Sequence, residues 1–145
     1  MQRLPALQHF IDCLHAALAP RISEGTVEHD VTTKVFDALK TPADNTQLAN
    51  DKDRPSQSLL SPALQLARAS GPDLARLALA FERLEPHIQW HVGKKDTQPG
   101  EPIDLHSIIV GYDGLELRVD AEIGVSLMAP HCEYIDHHHP PAEVY

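Results

Sequence analysis

The chain is read as an α+β protein, with a helical region over residues 1–88 followed by the first strands of a β-barrel over residues 89–145. Two observations carry that reading. Up to about Pro86 apolar residues recur every three or four positions, the period of one helical face. Beyond it they fall in short β-branched or alternating runs, the period of a strand. The size agrees: 145 residues with an apolar share of 42% hold one domain, or one domain with a helical annex, around a real core.

In order along the chain, Leu4, Leu7, Ile11, Leu14 and Leu18 form the first apolar stripe, with Pro5 suited to a first turn and Pro20 marking the end. A second helix is expected over residues 27–40, where Val31, Val35 and Leu39 lie four apart beside Phe36 and Thr26 is the natural cap. From Thr41 to Gln57 the composition turns polar and reads as a surface loop. Ser61-Pro62 then offers an N-cap followed by proline at the first helical position, and Gly71-Pro72 a stop followed by a fresh start. Leu74, Leu77, Ala78, Phe81 and Leu84 line the next helix, which Pro86 closes. Their isolated histidines, His9, His15 and His29, read as ordinary helix residues.

Residues 94–102 form a polar turn around Pro99-Gly100, and strands are expected over 106–110, 115–119 and 123–128. Tyr112-Asp113-Gly114 reads as the tight link between the first two. Leu115, Leu117 and Val119 alternate with Glu116 and Arg118, which predicts one dry side and one wet side. Several short antiparallel strands ending in a ligand-bearing hairpin suggest a jelly roll.

Charge and composition exclude several classes. A net charge of −9 argues against nucleic acid, whose phosphates need a basic surface, and is compatible with a small cationic or zwitterionic ligand. No apolar stretch approaches the roughly 18 to 20 residues that span a bilayer, so no membrane partner is expected. Two cysteines, Cys13 and Cys132, make no disulfide framework, and no signal peptide is legible, so a reducing cytoplasm is the default. Cys13 reads as a small buried hydrophobe, while Cys132 lies close enough to the histidines for a role near a metal. The amphipathic N-terminal helices could pack on their own barrel or on a second subunit, giving a homodimer.

The richest chemistry lies in residues 134–145, Tyr-Ile-Asp-His-His-His-Pro-Pro-Ala-Glu-Val-Tyr. In an extended strand His137 and His139 share a face while His138 points away. Pro140-Pro141 stops that strand and lets a returning one begin near Ala142, which puts Glu143 and Tyr145 on one face. Two imidazoles and a carboxylate suit zinc, or ferrous iron with open positions. A purification tag would be longer and would not run on into Pro-Pro-Ala-Glu-Val-Tyr. A solvated loop binding metal adventitiously is the plainer competitor.

The stretch from Gly124 to Tyr134, followed by His137-x-His139-x-x-x-Glu143, is similar to the first motif of the cupin superfamily. The fuller pattern Tyr134-x-x-His137-x-His139-x-x-x-Glu143-x-Tyr145 resembles the cupin-type dimethylsulfoniopropionate lyases. The resemblance implies β-elimination of dimethylsulfoniopropionate, a small-molecule substrate, to dimethyl sulfide and acrylate, supported by a divalent ion: zinc, iron, manganese or nickel. It implies His139 and Glu143 as metal ligands with His137 as a ligand or close neighbour, Tyr145 as the base, and Tyr134 as a second active-site phenol, either contacting substrate or sharing in proton transfer. Trp90, the only tryptophan, could offer its face to the sulfonium, or pack where helices meet barrel. The His-x-His-x-x-x-Glu core is shared with cupin dioxygenases, isomerases and non-catalytic ligand binders. Tyr145 tips the choice toward elimination. A jelly roll needs about eight strands and the family a further histidine, so the barrel is expected to be incomplete here, with the chain an N-terminal part of a longer protein. An uncovered edge and inner face would make such a part prone to aggregate.

Overall fold

Helices form where the apolar period places them, with one shifted start. The computed structural model describes residues 2–44, 54–93, 104–131 and 142–145. Helix α1 (Pro5–Leu18) has proline in its first turn, where a missing N–H costs nothing, and buries Leu7, Phe10, Ile11 and Ala17. Helix α2 (Val27–Ala38) is capped as expected: Thr26 Oγ1 accepts from the His29 amide at 3.2 Å, and Glu28 and Asp30 lie in the positively poled first turn. Its attachment is light. No residue of α2 is fully buried, Phe36 packs on the His15 ring at 4.4 Å, and Leu39 just past its end is the buried anchor.

The third helix departs from the expected start at Ser61-Pro62. Helix α3 (Gln57–Ala69) begins a turn earlier, with Ser56 at the cap position and Pro62 inside. The Ser56 carbonyl accepts from the amides of Leu59 and Leu60 at 3.1 and 3.0 Å, which starts the helix ahead of the proline. Burial of Leu60, 5% exposed, repays the hydrogen bond that Pro62 cannot donate. Helix α4 (Pro72–Leu84) starts as predicted, Gly71 taking φ +130° and Pro72 opening the first turn. It buries Ala78, Ala80, Phe81 and Leu84 and packs against both α1 and α3, with Phe10 and Phe81 ring centroids 6.0 Å apart. The helix ends in a 3-10 turn over Glu85–His87, at the proline that the sequence marks as its close.

Among the described residues four strands make an open mixed sheet, so the protein is α+β. The two-residue strand β1 (His91–Val92) pairs antiparallel with β2 (Asp104–Gly111), which is also antiparallel to β4 (Ile123–Met128) along its other edge. Strand β3 (Glu116–Leu117) runs parallel to β2, pairing Val110 with Glu116 and Gly111 with Leu117. This corrects the expectation of antiparallel strands throughout. The cause is local. The β2–β4 register slips by one residue between Ile108 and Val110, which frees the Ile109 carbonyl to accept from the Leu115 amide at 2.8 Å. The Gly111 carbonyl accepts from Gly114 and Arg118, so the chain curls through Tyr112-Asp113-Gly114 and leaves in its original direction. Gly114 is required: a Cβ there would sit 2.9 Å from the Ile109 carbonyl carbon and 2.8 Å from the Gly111 nitrogen.

The predicted dry and wet sides of residues 115–119 are also inverted beyond Leu115. Glu116 has no exposed surface, whereas Leu117 and Val119 are exposed, Val119 at 98%. Two arginines explain the inversion. Arg3, itself 5% exposed, grips the Glu116 carboxylate with Nε at 2.5 Å and Nη2 at 2.9 Å, and Arg118 Nη1 adds a third bond at 3.2 Å. Both carboxylate oxygens thus keep charged hydrogen-bond donors although the residue is buried.

One core joins helices to sheet: Leu7, Phe10, Phe81 and Leu84 meet Trp90, Leu105, Ile109, Ile123 and Leu127. The expected polar turn over 94–102 lies outside the described residues. Among the described residues no helix is long and apolar enough to cross a membrane.

Candidate functional site

The C-terminal motif is reached from β4. Beyond Met128 the chain passes Ala129-Pro130 to His131, which takes φ +64°, a left-handed turn that non-glycine residues adopt at some cost. Tyr134, His137, His139 and Cys132 lie outside the described residues. Glu143 and Tyr145 lie inside them, in a segment over residues 142–145 that carries no strand pairing, so the expected returning strand does not form there. The two side chains are together all the same. Tyr145 Oη donates to Glu143 Oε2 at 2.5 Å, and both residues are exposed, Tyr145 at 87%. A phenol two residues from a carboxylate thus shares its side of the chain and its oxygen, so whatever draws charge from the carboxylate also acts on the phenol.

Trp90 is placed where helices meet sheet. It is 2% exposed, its ring stands edge-on to Phe81 at 6.3 Å and 86°, and its Nε1 donates to Glu85 Oε1 at 3.1 Å. The same carboxylate, 4% exposed as a residue, takes a paired grip from Arg54, whose Nε lies 3.0 Å from Oε1. Glu85 therefore gathers the 3-10 turn after α4, the segment entering α3, and the residue before β1 around one buried charge.

The Glu116 cluster does the same at the other end of the sheet. Burial alone would raise this carboxyl, but hydrogen bonds from Arg3 and Arg118 outweigh it and hold the group below its ordinary value. Arg118 is shared further, to Asp120 at 2.8 and 2.9 Å and to the Thr41 carbonyl at 2.7 Å, while the Leu117 amide donates to the Asp44 carbonyl at 2.8 Å. Neither Arg3 nor Glu116 stood out in the sequence. The one available signal was a carboxylate at a position whose neighbours are apolar.

A cross-strand pair, His91 opposite His106, also went unread, because two histidines fifteen positions apart show no spacing rule until β1 and β2 are paired. Their rings are 5.7 Å apart with planes at 29°. Among the described residues no three histidine, cysteine or acidic side chains are gathered closely enough to hold a metal ion.

A small α+β protein whose sheet leads into a His/Glu/Tyr motif, with the motif's carboxylate and phenol in contact, is the class that fold and site define. The family model for dimethylsulfoniopropionate lyase matches residues 27–145, from the start of α2 to the motif's last tyrosine, and the chain belongs to that family. No curated protein and no solved structure matches it.

Proposed function

We propose that the protein cleaves dimethylsulfoniopropionate by β-elimination, with His137, His139 and Glu143 holding a divalent ion and Tyr145 acting as the base. Family membership supports the substrate. The observation that carries the mechanism is the contact between Tyr145 Oη and Glu143 Oε2 at 2.5 Å, which sets the phenol beside a candidate ligand oxygen. Glu143 fits the assignment by chemistry, being an exposed anionic oxygen donor. A bound zinc, iron, manganese or nickel ion would polarise the substrate carboxylate and favour the phenolate over the phenol, whose ordinary pKa is about 10.

Tyr145 removes the proton α to the substrate carboxylate. The released C–H electron pair forms the Cα=Cβ bond of acrylate, and the Cβ–S pair leaves on sulfur as neutral dimethyl sulfide. No strong acid is needed, since the sulfonium is already a good leaving group. Tyr134 is the second phenol, contacting substrate or sharing the proton. The sheet, on this reading, is part of a jelly-roll barrel, and the reaction belongs to the reducing cytoplasm.

The test is gas chromatography of dimethyl sulfide from the purified full-length protein, supplied in turn with each of the four metals. Product is expected with at least one of them, and Tyr145→Phe should abolish it. No product with any would overturn the proposal.

A further inference from the structure

The sheet has two faces, and among the described residues helices pack on one of them. Leu105, Ile109, Ile123 and Leu127 turn into the shared core. By register the opposite face of β1, β2 and β4 carries His91, Asp104, His106, Ile108, Gly124, Ser126 and Met128. Lysine, arginine and glutamate, the usual residues of a solvated strand face, are absent from this set. His91, Asp104, His106, Ile108 and Met128 are all partly buried.

Within that face His91 is the Cα partner of His106, and two positions along, past the Val92–Leu105 pair, the Gly93 amide donates to the Asp104 carbonyl at 2.8 Å. The Asp104 carboxylate lies across Gly93, where a Cβ would meet Oδ2 at 2.6 Å. Its other oxygen, Oδ1, is buried with no hydrogen-bond partner among the described residues. A buried acceptor oxygen left without a hydrogen bond is costly, and a coordinated cation would satisfy it. The net charge of −9 also favours a cation over an anion here. Imidazole neighbours select a transition ion over calcium or magnesium, which prefer all-oxygen shells.

We propose that His91, His106 and Asp104 form a divalent transition-metal site on the helix-free face of the sheet, separate from the His137-His139-Glu143 motif. The three side chains are not at coordinating distance in this structure, so binding would require their side chains to turn toward one another. Two metal–imidazole bonds of about 2.1 Å at the tetrahedral angle put ring centres roughly 5 Å apart. The present separation is 5.7 Å. Cross-strand partners keep their Cβ atoms about 4.5–5.5 Å apart, so the ladder need not move. The ion would clip β1, only two residues long, to β2.

The test uses the full chain carrying His137→Ala and His139→Ala, so that the C-terminal motif cannot account for binding. Zinc is titrated calorimetrically, and cobalt is followed by its visible absorption. One ion per chain is expected, with affinity falling by more than about tenfold when His91→Ala or His106→Ala is added. Asp104→Asn should also weaken binding, since it removes the anionic oxygen donor. Trp90 emission checks that each variant keeps its core, and the two histidine variants serve as alternates should one fail to fold. No zinc binding in the motif-deleted chain, or binding indifferent to both His91→Ala and His106→Ala, would overturn the site. Dimethyl sulfide production by the unaltered protein is a separate readout, so failure of the lyase proposal and failure of this one are told apart.

Discussion

Replacing Glu116 with leucine should be among the most damaging single changes to the fold. The substitution removes the partner of Arg3, whose side chain is 3% exposed, and leaves a guanidinium in the core with one remaining bond, to Gln8 Oε1 at 2.6 Å. Breaking a buried pair from one side costs about 3–5 kcal/mol. The Gln8 contact places this case near the lower end. Arg118 adds little, because Asp120 and the Thr41 carbonyl still hold it. For a chain of 145 residues a loss of about 3 kcal/mol lowers Tm by roughly 10 °C. Circular dichroism at 222 nm on heating reads this. The double variant Arg3→Met/Glu116→Leu should recover much of the loss, because no charge is then stranded. The sign with pH is fixed as well. Glu116 is held below its ordinary 4.5, so its contribution is complete above that value and fades as pH falls through the lower folded value. Glu116→Leu should therefore flatten the decline in stability below about pH 4.5. A single variant costing under about 1 kcal/mol, the worth of an exposed pair, or a double variant no better than the single, would refute the reasoning.

Two further outcomes follow from the same geometry. Trp90→Phe should keep the aromatic packing on Phe81 but strip one donor from Glu85, costing about 1–3 kcal/mol in urea denaturation; a neutral result would mean that Arg54 alone satisfies that carboxylate. Gly114→Ala should destabilise more than a surface substitution does, by upwards of 1 kcal/mol, because its methyl must displace the backbone at Ile109 and Gly111; a change in Tm of under a degree would show that the β2–β3 curl has slack.

Much of the helical half was legible because period and punctuation agree there. The stripes of α1 and α4, the Thr26 cap and the Gly71-Pro72 break each rest on interactions among residues close in sequence. Pro62 misled because the rule that proline opens helices competes with burial of Leu60, and burial won. The strand half was legible in content and not in arrangement. Alternation at residues 115–119 predicts sides correctly only if no distant charge intervenes, and Arg3, 113 positions away, reverses them. The parallel turn of β3 depends on a one-residue slip in the pairing of β2 with β4, which no local pattern announces. At the site, the closeness of Glu143 and Tyr145 follows from their two-residue spacing. His91 and His106 became neighbours only through pairing.

The bond from Arg3 to Glu116 spans 113 residues of chain. Arg3 cannot make this contact until β3 has been synthesised and has left the ribosome, although α1 can already rest on α4. Closing so large a loop is entropically late, and anything that encumbers the residues around Arg3 should slow maturation of the far end of the sheet.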